Sequence, residues 1–177
     1  MMMMTSPPLA GGGRSPVHRR AWLLGVAALL AGLDLAIKSW AETALATRSI
    51  SGGVIDLQLG FNRGVAFGLG DNLPSWVVIT VTGMITCVLL IVSWWFAPTA
   101  SRLQLIGLCA VLGGAVANLL DRTLNGHVTD YLHTGWWPTF NLADVCIVSG
   151  GILLAASSLW ASPTDKNDAS VPERLAT

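Results

Sequence analysis

Residues 113–144 read GGAVANLLDRTLNGHVTDYLHTGWWPTFNLAD. An apolar run ends here in Asn118, Asp121 and Arg122. A short polar and aromatic segment follows and holds Asp130. A second apolar run then opens with Asn141 and Asp144. Polar side chains at the mouths of membrane-length segments are costly to keep, so their presence calls for a functional reason.

The rest of the chain fits that reading. Of 177 residues, 53% are hydrophobic and 11% charged, whereas a soluble domain carries about 25% charged residues. The chain therefore reads as an integral membrane protein, mainly α, with a core built from helix contacts in lipid. Formal net charge is zero, which gives no ground for a nucleic-acid partner. Cys87, Cys109 and Cys146 all lie inside apolar runs. Their odd number and wide spacing fit neither a disulfide framework nor a zinc site, and they read as small packing residues.

Residues 1–18 are rich in Met, Pro, Gly and Ser and read as a disordered tail. Several start codons are possible within it. Arg19 and Arg20 precede a first membrane helix over 21–40. Trp22 and Trp40 bracket roughly 27 Å of it at 1.5 Å per residue, close to bilayer thickness. A signal peptide ending near Ala44-Leu45-Ala46 is the rival, but its polar stretch before Ala46 is too long. Residues 48–70 change character: from Ile55 to Asn62 apolar and polar residues alternate, the period of a half-buried strand. Asn62-Arg63-Gly64 could turn the chain into a second strand over 65–69. Three more spans follow at 74–97, 103–122 and 142–161, with Trp76, Trp94, Trp95 and Trp160 near their ends as an aromatic belt requires. Gly107, Gly113, Gly114, Ala117, Gly150, Gly151 and Ala155 supply small residues for close helix contact. Residues 162–177 are a polar tail. The membrane unit is thus 19–161.

Four spans put both termini on one side, with Arg14, Arg19, Arg20, Arg102, Lys166 and Arg174. Lys38, Arg48, Arg63 and Arg122 fall on the other. This bias, and the basic flank before the first helix, place the termini in the cytoplasm. The polar residues near helix ends then converge on the outer face: Asp34, Lys38, Asn62, Asn118, Asp121, Arg122, Asp130, Asn141 and Asp144. Asp34 and Lys38 are four apart on one helix face; either they pair near the interface with the lysine snorkelling, or they support a polar site. Asn118, Asp121 and Arg122 share a face and read first as structural. Asp130 and Asp144 are different, because no cation follows either at helical spacing. A carboxylate one turn inside an apolar helix must be paired, hydrated or protonated. Two brought together would share a proton, one acting as base on water and the other as acid. A metal held by His127, Asp130, His133 and Asp144 is the competing chemistry, though HExxH is absent.

At this point the sequence resembles the lipoprotein signal peptidase (signal peptidase II) family. The resemblance covers roughly 21–161 and rests on five stretches in order: Asp34-Leu-Ala-Ile-Lys38, Asn62-Arg-Gly64-Val-Ala66-Phe67, Gly113 to Arg122, His127-Val-Thr-Asp130-Tyr131, and Phe140-Asn141-Leu-Ala143-Asp144. It implies a membrane aspartyl protease with no cofactor, in which Asp130 and Asp144 are the catalytic pair. Asp34, Lys38, Asn62, Gly64, Asn118, Asp121, Arg122, Asn141 and Ala143 would line or support the site. It further implies four transmembrane helices, a small extracytoplasmic β-sheet cradle and a short extracytoplasmic helical segment, in the bacterial inner membrane. The substrates would be prolipoproteins carrying a diacylglyceryl-cysteine, presented from membrane lipids, and globomycin would block the site. Ile37, where the family has Thr or Ser, and Ala117, where it has Gly, depart from the pattern at supporting positions. A small transporter is the non-enzyme alternative, but the polar groups gather at one face and no inverted repeat is visible. A scaffold would explain the small-residue contacts but not two lone aspartates at one mouth.

Overall fold

The computed structural model describes residues 15–64 and 73–160. The expected tail over 162–177 and the expected strand over 65–69 lie outside them, as does the expected tail over 1–18 except for its last four residues, where Ser15 and Pro16–His18 cap and begin a helix instead of continuing a disordered tail. The elements in chain order are α1 (Pro16–Ala44), β1 (Asp56–Asn62), α2 (Ser75–Phe96), α3 (Arg102–Asn125), β2 (Val128–His133) and α4 (Leu142–Trp160). All four helices are long and apolar enough to cross a membrane.

The central helix is α3, against which α1, α2 and α4 all pack. Its glycines explain the closeness. A Cβ on Gly107 would stand 2.9 Å from the Gly150 carbonyl oxygen, and one on Gly150 would stand 2.7 Å from that of Gly107. On the α1 side, a Cβ on Gly113 would stand 2.9 Å from the Ala27 carbonyl oxygen. Without side chains at these points the backbones touch, which is how helices associate where lipid removes the hydrophobic drive. The core between them is Leu23, Ala27, Leu105, Leu108, Cys109 and Leu112, with Ala97 and Ala100 from the α2–α3 turn. The outward residues of α2, such as Met84, Val88 and Ile91, are exposed and face the place of lipid.

Helix α1 begins earlier than 21 and ends later than 40. Ser15 caps it by accepting from the His18 N–H, and Pro16 takes its first turn, where no donor is missed. The added turn places Arg19 and Arg20 against the far end of α2. The Arg19 Nε donates to the Ala97 carbonyl at 2.8 Å, and its Nη2 donates to that of Ala100. The Arg20 guanidinium lies 4.8 Å from the Trp94 ring centroid.

At the opposite end β1 and β2 form an antiparallel pair, with Gly60 opposite Asp130 and an irregularity between Leu57 and Gly60. The alternation in 55–62 thus marks a real strand. Its partner is the segment between α3 and α4. Gly126 ends α3 at φ +75°, a left-handed position that suits glycine. Val128, Thr129, Asp130 and Tyr131 are then all buried. A strand buried on both faces shows no alternation, so its period was not visible in the sequence.

Candidate active site

The site is assembled at the start of α4. A helix leaves its first N–H groups without partners, and here the first three are met by polar side chains. The Leu142 N–H donates to the Tyr131 hydroxyl at 3.1 Å, and the Ala143 N–H to Asp34 Oδ1 at 2.9 Å. The Asp144 N–H donates to Asn141 Oδ1 at 3.0 Å, and the Asn141 N–H returns a bond to Asp144 Oδ2 at 3.2 Å. This reciprocal cap fixes Asp144 at the helix mouth.

Lys38 and Asp34 do not snorkel. Both are buried, at 2% and 1% exposure. Lys38 Nζ lies 2.9 Å from Asp34 Oδ2 and 3.3 Å from Asp121 Oδ2, and donates to Asn118 Oδ1 at 2.7 Å. Asn118 passes the connection on: its Nδ2 donates to Asp144 Oδ1 at 2.8 Å. The Asn141 Nδ2 donates to Asp130 Oδ1 at 2.7 Å and reaches Asn118 Oδ1 at 3.3 Å. Asn118 and Asn141 therefore join Asp130, from a strand, to Asp144, from a helix.

Asp121 accepts from the Thr129 N–H at 2.8 Å and from Asn125 Nδ2 at 2.8 Å, tying β2 to α3. Arg122 Nη2 donates to the Gly64 carbonyl at 2.6 Å, which places both Arg122 and Gly64 as supports of the loop after β1. Asn62 lines the cavity, and its buried Oδ1 has no hydrogen-bond partner among the described residues. Ala143 is buried against Ala31 and Ala117, so the alanine at 117 closes the α3–α4 contact beside the site.

Two residues that sequence reading passed over matter here. Thr129 is fully buried and its hydroxyl donates to Glu42 Oε1 at 2.6 Å. Glu42 follows Asp34 and Lys38 at the same four-residue interval on α1, and that stripe was the available signal. The histidines, in contrast, go elsewhere. His127 packs edge-on to Phe61 with ring centroids 4.5 Å apart, and His133 meets Thr139 at 3.3 Å. The i, i+3, i+6 spacing that would gather His127, Asp130 and His133 holds for a helix, whereas in a strand positions three apart point to opposite faces.

Asp130 and Asp144 line one cavity of about 630 Å³ with Asn118, Arg122 and Asn62. Its other walls include Thr82, Ile85, Thr86 and Leu89 of α2, Ile147 and Val148 of α4, and the loop Trp137–Phe140. Burial, and then the charge of Asp144, push the Asp130 carboxyl up to about 7. A carboxyl that titrates near neutrality can hold a proton and give it up at working pH, as acid–base chemistry needs.

A family model described as "Signal peptidase (SPase) II" matches residues 26–160. A lipoprotein signal peptidase of Mycobacterium tuberculosis is 34% identical over 171 residues, 89% of this chain and 83% of that protein. One of Syntrophomonas wolfei is 39% identical over 125 residues, 69% of this chain and 82% of that protein. One of Mycolicibacterium smegmatis is 36% identical over 154 residues; the match takes in 82% of this chain but 64% of that longer protein. A solved bacterial membrane enzyme, determined by the in meso method at 2.3 Å, superposes with a TM-score of 0.71, covering 85% of this chain and 94% of its own, and at 23% identity it shows the shared fold. Four spans, one polar mouth and these matches over most of the chain lead to one conclusion: the protein belongs to the signal peptidase II family of bacterial membrane peptidases.

Proposed function

We propose that the protein cuts the signal peptide from diacylglyceryl-modified prolipoproteins just before the lipobox cysteine, using Asp130 and Asp144 to activate water. The observation that carries this reading is the joint placement of two carboxylates, from two elements, on one asparagine-bridged cavity. The cavity also suits a substrate that arrives through the bilayer. Helices α2 and α4 each pack on α3, and Ile85 and Val148, which are exposed on their outer faces, also line the cavity. A signal helix sliding in between them would keep its acyl chains in lipid while its peptide bond reached the aspartates.

The supporting residues follow as positioning groups. Asp34, Lys38, Asn118, Asp121 and Asn141 set the carboxylates, and Asn62, Gly64 and Arg122 shape the wall beside them. The membrane is the bacterial inner membrane, with both termini cytoplasmic and the site near the outer face. Globomycin, which would occupy the same cavity, should compete with substrate. The test is reconstituted enzyme with a prolipoprotein in lipidated and unlipidated forms, with products read by mass. Only the lipidated form should be cut, giving a fragment that begins at the modified cysteine, and globomycin should stop it. Equal cleavage of the unlipidated form, or a cut elsewhere, would refute the substrate assignment.

A further inference from the structure

The hydrogen-bond directions around the aspartates distinguish the two groups. Asparagine amides can be placed either way round, but two obligate donors fix them here. Lys38 has no acceptor, so the Asn118 atom 2.7 Å from it is the oxygen. The Asn118 NH₂ must then face Asp144 Oδ1. The Asp144 backbone N–H is likewise only a donor, so the Asn141 atom 3.0 Å from it is the oxygen. The Asn141 NH₂ must then face Asp130 Oδ1.

Asp144 consequently accepts an N–H bond on each oxygen, from Asn118 and from the Asn141 backbone. It also lies in the first turn of α4, where the helix dipole favours negative charge. Asp130 accepts one bond, on Oδ1, and its Oδ2 receives none from the described residues. It sits in a strand, with no dipole to help it.

Resting on the aspartate-pair reading above, we infer that the shared proton rests on Asp130 Oδ2, that Asp144 is the resting carboxylate and general base, and that Asn118 and Asn141 are the positioning residues that enforce this. The upward displacement of Asp130 to about 7 agrees with it. Of the other charged groups facing the pair, Lys38 is held by Asp34 and Asp121, and Glu42 bonds Thr129 next to Asp130. Arg122 bonds Gly64 through Nη2, and the pull of its charge on Asp130 is outweighed by burial and by the charge of Asp144.

The reaction then balances, with the two groups exchanging roles in its second half. Asp144 takes a proton from water as its oxygen bonds the scissile carbonyl carbon. Asp130 gives its proton to the carbonyl oxygen, forming a neutral gem-diol. The protonated Asp144 next delivers its proton to the amide nitrogen as the C–N bond breaks, and Asp130 recovers one from a gem-diol hydroxyl. Both groups end as they began.

Two measurements test the assignment on the full chain in detergent. The first is the infrared band of protonated carboxyl groups at pH 6, in wild type, Asp130→Asn and Asp144→Asn, each read with its fold checked by circular dichroism. The band should be lost in Asp130→Asn and kept in Asp144→Asn. The second is the pH profile of kcat/KM in Asn118→Ala. Its acid limb should move up by about one pH unit, a tenfold loss at fixed acidic pH, while its basic limb stays. A band kept in Asp130→Asn and lost in Asp144→Asn would reverse the roles while leaving the pair intact. An acid limb that does not move would overturn the part given to Asn118. Cleavage by either Asn variant would remove the pair itself, a different failure.

Discussion

Replacing Lys38 by methionine probes how the polar centre is held together. Lys38 is 2% exposed and its ammonium holds Asp34, Asp121 and Asn118 at once. Removing one partner from a buried ion pair costs about 3–5 kcal/mol, because the other charge is left uncompensated. The lower end applies here. Asp121 keeps the Thr129 N–H and the Asn125 amide, and Asp34 keeps the Ala143 N–H, so only Asp34 Oδ2 is stripped of its partner. At about 3 kcal/mol, and roughly 2–4 °C per kcal/mol for a chain of this size, Lys38→Met should lower Tm by about 6–12 °C at pH 8. Thermal unfolding in detergent measures it. The sharper readout is the double variant Lys38→Met/Asp34→Asn. An amide at 34 can still accept from Ala143 but leaves no orphaned charge, so the double variant should recover at least half of the loss. A Lys38→Met within about 2 °C of wild type, or a double variant whose loss is the sum of the two single losses, would refute the reasoning.

Other expectations follow from the same geometry. Asp130 must be protonated to donate, so kcat/KM should fall tenfold per pH unit as pH rises above about 7, the value to which burial and Asp144 raise it. The same carboxyl binds more protons folded than unfolded, so stability should decline as pH rises from about 4 to about 7 and level off above. Asp130→Asn should remove that slope, as unfolding at a series of pH values would show. Gly107→Val would drive a side chain into the Gly150 carbonyl and Leu154, costing about 1–3 kcal/mol by the same unfolding assay. Gly151→Ala, where an added Cβ meets nothing within 4 Å, should be neutral or stabilising.

The four spans were legible because lipid imposes a long apolar run on every crossing helix, and the structure places α2, α3 and α4 within a few residues of those runs. The pocket partners were legible because a charged or amide side chain at a membrane mouth stands out against Leu and Val. What the sequence hid was pairing. That β1 pairs with 128–133 depends on two loops meeting at one end of the bundle, and Val128–Tyr131, buried on both faces, carries no period to announce a strand. The snorkelling alternative for Lys38 failed for a related reason. Only the fold shows that Asp121, 83 positions away, arrives to share its ammonium. Thr129 and Glu42 were missed because a hydroxyl beside Asp130 and a carboxylate one helical turn beyond Lys38 look like ordinary surface chemistry until the strand closes over them.

The central claim is that Asp130 and Asp144 together cut a lipidated prolipoprotein without a metal. The most direct measurement is cleavage by purified wild type, Asp130→Asn and Asp144→Asn in parallel, with and without a chelator, each protein first shown to be folded. Wild type should cleave and be indifferent to chelator, and both variants should lose at least about a thousandfold. Full activity in either variant, or wild-type activity abolished by chelator, would contradict that claim.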